Sequence, residues 1–197
     1  TSDSVEQRVG TVGRVHPHLE IKIVDEQGKV VPRGQLGELC VRGYSVMLGY
    51  WEDHEKSQEV IDSARWMHTG DIAEMDEAGF VKIKGRIKDV VIRGGENLFP
   101  KEIEDFLYTH PDVSDVQVIG LPDARYGEEL CACIILHEHH EITEESIRQY
   151  CAEHISHNKV PRYVRFFNEF PMTASGKAQK FKLQEFMRNE LDLKEIA

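Results

Sequence analysis

"GRIKDVVIRGGENLFPKEIE", residues 85 to 104, is where the sequence changes character. Upstream, short segments alternate apolar and polar residues. Downstream, strands and helices follow in mixed order. The stretch itself holds a polar joint at Arg86 to Asp89, a short alternating strand, a glycine pair, and Pro100 at the favoured first position of a helix. The change of pattern divides the chain into a unit over residues 1–86 and another over 87–197.

Working back from the joint, "LEIKIVDEQGKVV" reads as a strand, a turn at Gln27-Gly28 and a second strand. "GELCVRG" alternates as another strand. "MHTGDIAEMDEAGFVKIKGR" reads as two strands about a turn at Glu77-Ala78-Gly79, because alternation around a glycine-bearing connection marks a hairpin. A helix over 52–61 interrupts them. Short antiparallel strands of this kind make a small barrel-like or distorted sheet.

Working forward, "PKEIEDFLYTH" is a helix with an apolar stripe at Ile103, Phe106 and Leu107. "VSDVQVIGLPD" and "ELCACIILHE" are strands, the second apolar enough to be central. "TEESIRQYCAEHIS" is a helix with Thr143 as its N-cap. "RYVRFFNEF" is a strand, and "KLQEFMRNELDL" a closing amphipathic helix. The fold class is α+β: a β-rich, barrel-like first part followed by a small mixed α+β domain.

The 197 residues carry a net charge of −11, which argues against a nucleic-acid partner, whose binder needs a basic face. There is no run of the roughly 20 apolar residues that span a bilayer, so no integral membrane protein is expected. Cys40, Cys131, Cys133 and Cys151 form no CxxC pair and read as buried free thiols. The chain opens at Thr1 without methionine or a targeting signal, as a piece of something longer would.

Several side chains invite a chemical reading. His137, His139 and His140 fall in a polar turn with no second ligand group at a recognised spacing, and read as a solvated loop without metal. His154 and His157 flank a helix end, where a cation offsets the dipole. In "MHTGD", Asp71 follows a hydroxyl residue and a glycine; its oxygens suit a diol, although an exposed bulge aspartate reads the same way. Arg86 offers a fork of donors, Lys88 sits at the joint, and Gly94-Gly95 lets backbone approach a ligand or simply turns. In "PMTASGKAQKFK", residues 171 to 182, Lys177 stands in a thin loop of small residues. This is no phosphate-binding P-loop, because Pro171 replaces its first glycine and Ala178 its last hydroxyl.

Taken in order, "GELCVRGYSVMLGYW", "WMHTGD", "GRIKDVVIRGGENLFPKEIE" and "PMTASGKAQK" resemble the C-terminal part of the adenylate-forming superfamily, its medium-chain acyl-CoA synthetases above all. The resemblance implies a two-step ligase. A carboxylate attacks ATP to give acyl-AMP and pyrophosphate, and the thiol of CoA then displaces AMP. By matching positions, Asp71 would hold the ribose hydroxyls and Arg86 would assist. Lys88 would be the hinge of a mobile C-terminal domain, and Gly94 and Gly95 would line the pantetheine path. Arg125 would meet a CoA phosphate, and Lys177 would be the catalytic lysine of adenylation, in contact with ATP. The resemblance also implies fatty acid, ATP and CoA as small-molecule substrates and Mg2+ as cofactor. It implies a missing N-terminal domain carrying the ATP loop, the metal-binding acid and most of the acyl pocket. A mitochondrial location is implied, with a cytoplasmic one as the alternative. Another acid or acceptor, or a non-catalytic binding module of the same fold, stays open.

Overall fold

The computed structural model describes residues 3–193. Thr1 and Ser2, where the opening stretch begins, lie outside them. The chain forms two compact units, Thr1–Lys88 and Asp89–Ala197.

The first unit is an antiparallel sheet in the order β1-β2-β3-β4: β1 (Leu19–Val24), β2 (Gly37–Gly43), β3 (Met67–Met75) and β4 (Val81–Arg86). Alternation sends Ile21, Ile23, Leu39, Ala73, Met75, Val81 and Ile83 into one cluster. The sheet is open and distorted; among the described residues no pairing of β1 with β4 closes it into a barrel. The expected strand after Gly28 shrinks to one bridge, Val24 to Val30. Pro32 cannot donate to a ladder, and Gly34 turns the chain away two residues later at φ +77°. The turn before it is sound, since the Asp25 carboxylate accepts from the amides of Gln27 and Lys29. Two short helices also belong here: α1 (Val5–Gly10), which the sequence reading missed, and α2 (His54–Val60).

The second unit is a sheet covered on both faces. Its order is β6-β5-β8-β7, with β9 beside β8: β5 (Val91–Arg93), β6 (Glu96–Leu98), β7 (Val113–Asp123), β8 (Gly127–Leu136) and β9 (Tyr163–Phe166). β8 explains its apolar run. Leu130, Ala132 and Ile134 enter one core with Ile103 and Leu107 of α3 (Pro100–Leu107) and Ile147 and Cys151 of α4 (Glu144–His154). Cys131 and Cys133 enter the other, with Leu183 and Met187 of α5 (Lys180–Glu190). All four cysteines are buried and unbridged. Thr143 caps α4 in a reciprocal box with Ser146, as its position predicts. Lys180 locks α5 to the sheet: its Nζ lies 2.6 Å from Glu104 Oε1 and 3.1 Å from the Val118 carbonyl. No helix of the described residues is long and apolar enough to cross a membrane.

Candidate functional site

Asp71 is presented by an irregular strand. Against β2, Glu38 pairs with Ile72 and Cys40 with His68, so Thr69, Gly70 and Asp71 stand opposite Leu39 alone. Against β4 a second irregularity lies on the partner strand, where Lys84 is the extra residue between Gly85, opposite Ile72, and Ile83, opposite Ala73. Extra residues of this kind bend a strand and re-aim a side chain. The bulged segment is braced from β2. Thr69 Oγ1 donates to the Leu39 carbonyl at 2.7 Å and accepts from the Asp71 amide at 3.1 Å. Glu38 Oε1 accepts from the Gly70 amide at 3.0 Å, and Glu38 Oε2 lies 2.6 Å from His68 Nδ1. Gly70 has φ +70° with open space where a Cβ would sit, so it is glycine for backbone reasons. The Asp71 carboxylate meets Arg86 Nε at 3.0 Å, and a quarter of the side chain stays open to solvent. The bulge is present, and Asp71 on it is the direct cross-strand partner of Arg86 on β4.

Lys88 is exposed in a short 3-10 turn, Ile87–Asp89, at the limit of the first unit.

In the second unit, Gly94 and Gly95 form a two-residue hairpin between β5 and β6, with φ +60° and +85°. That turn type requires left-handed backbone at both positions, which glycine accepts without strain. A Cβ on Gly94 would lie 3.4 Å from the Tyr126 ring. The same ring receives Arg125 at 4.9 Å and Arg93 at 4.7 Å. The glycine turn, Arg125 and Tyr126 are thus brought together, and Tyr126 is a member the sequence reading passed over. Beneath them, Arg93 is bound through two nitrogens to Glu129, at 2.8 and 3.0 Å, and Glu129 is only 2% exposed. The Glu129 carboxylate, through these hydrogen bonds, pushes the Arg93 guanidinium pKa up. The Asp123 carboxyl is held below the usual carboxylate range, first by the Tyr126 amide.

Lys177 also belongs to the second unit. Its support is a closed turn rather than loose chain. Met172 bridges Ala178, Thr173 donates its amide to the Lys177 carbonyl at 2.8 Å, and Thr173 Oγ1 accepts the Lys177 amide at 3.0 Å. Gly176 makes the turn possible at φ +78°. The lysine is exposed, with no acidic partner among the described residues. The histidine turn behaves as a surface feature, with His140 Nδ1 on Asp112 at 2.5 Å.

One group of three potential metal ligands occurs among the described residues: Glu38, Cys40 and His68. Mg2+ takes oxygen ligands in octahedral geometry, so a thiol and an imidazole do not fit it.

The irregular sheet that offers a carboxylate with an arginine, joined to a mixed domain that offers a lone lysine turn, defines a class. The chain belongs to the AMP-binding, or adenylate-forming, enzyme family. Residues 102–177 match the model of the AMP-binding enzyme C-terminal domain, and residues 1–51 that of the AMP-binding enzyme. Among particular proteins, medium-chain acyl-CoA ligase ACSF2, mitochondrial, of Bos taurus is 54% identical over 98% of this chain and 32% of its own length. This chain therefore spans about a third of the length of the curated relatives it matches. ATP-bound MatB from Rhodopseudomonas palustris superposes with a TM-score of 0.85 at 35% identity, over 92% of this chain and 36% of that one. Anthranilate CoA ligase AuaEII in complex with anthranoyl-AMP gives 0.84 at 36% identity, over 93% and 36%.

Proposed function

We propose that this chain is the C-terminal part of an AMP-forming acid–thiol ligase that activates a medium-chain carboxylic acid. In the first step a carboxylate oxygen bonds to the α-phosphorus of ATP and pyrophosphate leaves. In the second the CoA sulfur bonds to the acyl carbon and AMP leaves. The observation that carries the proposal is the cross-strand Asp71–Arg86 pair, with Asp71 on the β3 bulge. It offers a fixed carboxylate to a vicinal diol and a cation beside it. Lys177 supplies positive charge where two anions must meet. Lys88 serves as the hinge that changes the second unit's orientation between steps. The glycine hairpin leaves a thin surface for the pantetheine arm, with Arg125 near a CoA phosphate. The name of the bovine relative supports the medium-chain substrate and a mitochondrial location. The remainder of the large domain would supply the ATP loop and most of the acyl pocket.

The test is nucleotide binding by the full-length protein. Asp71→Ala removes hydrogen bonds to a charged acceptor, worth about 1.5–3 kcal/mol together, so ATP is expected to bind about tenfold to 150-fold more weakly. Calorimetric titration with ATP reads the change directly. Unaltered affinity in a folded variant would remove Asp71 from the site.

A further inference from the structure

Three different donor atoms converge beside the Asp71 bulge, and the proposed ligase reaction uses none of them as a ligand. His68 Nδ1 stands 3.6 Å from Cys40 Sγ and 2.6 Å from Glu38 Oε2. Sulfur and carboxylate oxygen thus approach the same ring nitrogen, and all three atoms lie within 4.8 Å of one another. The strand pairing produces this arrangement. Cys40 and His68 are direct cross-strand partners, and Glu38 reaches over from two residues along β2. The side chains differ in exposure: Cys40 is fully buried, whereas His68 and Glu38 keep 33% and 19% of their surfaces open. The cluster therefore has a closed sulfur floor and a solvent-facing mouth.

We propose that Glu38, Cys40 and His68 form a binding site for a borderline-soft divalent cation, Zn2+ by donor set, with water completing the coordination. A tetrahedral Zn2+ holds sulfur at about 2.3 Å and nitrogen or oxygen at about 2.0–2.2 Å, which sets its ligand atoms about 3.3–3.7 Å apart. The sulfur–nitrogen separation already has that value. The nitrogen–oxygen separation is that of a hydrogen bond with a proton between the atoms. Replacing this proton with an ion requires the partly exposed Glu38 side chain to retreat by under about 1 Å. On binding, the thiol gives its proton to solvent and the ring carries its own on Nε2, so the site closes as thiolate, carboxylate and neutral imidazole. Glu38 uses separate oxygens for its two tasks. Oε1 keeps the Gly70 amide while Oε2 takes the ion, so filling the site leaves the bulge braced. A mix of thiolate, imidazole and carboxylate selects zinc-like ions over Mg2+ and Ca2+. The proposal stands independently of the nucleotide reading.

The experiment titrates the full-length protein with Co2+ alone, as an optical probe, and then with Zn2+ alone. One equivalent of Co2+ is expected to give a thiolate charge-transfer band in the near ultraviolet, and Zn2+ is expected to bleach it. Cys40→Ser should abolish the band. His68→Gln and Glu38→Gln should each weaken binding at least about tenfold, in keeping with loss of one of three protein ligands. Circular dichroism establishes that each variant is folded, and the two glutamine variants leave the buried sulfur in place. The histidines at 137, 139 and 140 carry no sulfur, so Co2+ held there gives no such band. Absence of the band in the unaltered protein, or a band that survives in Cys40→Ser, would overturn the site.

Discussion

Lys177→Ala in the full-length protein is expected to slow pyrophosphate release from ATP and a medium-chain fatty acid by about 100-fold to 1,000-fold, the usual cost of losing one preorganised group at developing charge. Thioester formation from supplied acyl-AMP and CoA should continue at the unaltered rate. The asymmetry follows from the chemistry. Adenylation brings a carboxylate against a triphosphate, and both are anions, so a cation that bridges them lowers the barrier. Thiol attack on the adenylate expels AMP from an acyl carbon and has no such like-charge encounter. The structure provides what the first step needs, an exposed ammonium without an acidic partner among the described residues, on a turn closed by Thr173. A lysine used only for solubility would leave both rates unchanged, and that result would sink the role. Equal loss in both half-reactions would point instead to a damaged turn.

Glu129→Ala is expected to destabilise the second unit by up to about 3–5 kcal/mol, because it leaves Arg93 as an uncompensated, partly buried cation. The pair is joined by two hydrogen bonds, and Glu129 is 2% exposed. Arg162 stands 4.0 Å from the same carboxylate but keeps its own partner, Asp123, at 2.6 Å. Hydrogen exchange over residues 127–136 of the full-length protein measures the local opening energy, and Glu129→Gln, which keeps an acceptor and the side chain's shape, should lose less. A change below about 1 kcal/mol would mean that Arg93 finds another carboxylate, against the burial argument. The loss has a functional side, because Arg93 lies against Tyr126 and directly precedes the glycine hairpin. Thioester formation should therefore fall with stability, and adenylation falls with it to the extent that the second unit, which also carries Lys177, unfolds.

Much of the fold was legible because it rests on local signals. Pro100, Thr143 and the glycine at 79 mark their elements by chemistry that acts within a few residues, and each element is where those signals put it. β8 announced itself by its unbroken apolar run from Leu130 to Leu136, since each of its faces meets a core. What escaped depends on pairing between distant residues. Openness or closure of the first sheet is a property of β1 and β4, which lie some 60 positions apart in sequence. Pro32 cut short a strand that alternation alone had extended. β6 is three residues long and exists only because the Gly94-Gly95 turn folds it back on β5. The candidate site divides in the same way. Asp71, Arg86 and Lys177 were visible through their neighbours in sequence. Glu38 was not, because it touches Gly70 from 32 residues away. Tyr126 was not, because an aromatic beside a surface arginine carries no signal until both meet the glycine turn. The Lys177 loop is legible as a thin run of small residues, but Thr173, which ties it, looks like one more of them.

The three residues of β3 that stand opposite Leu39 act as a key in a slot. A strand without such a feature can slide past its neighbour in steps, each step turning every side chain to the other face. Here the carboxylate of Glu38 and the carbonyl of Leu39 grip the looped-out segment at fixed points, so only one alignment satisfies them. The aim of Asp71 is therefore owned by two strands jointly and not by the four letters "HTGD". A designer moving this carboxylate into another sheet would have to carry "GEL" with it, as the lock that belongs to the key.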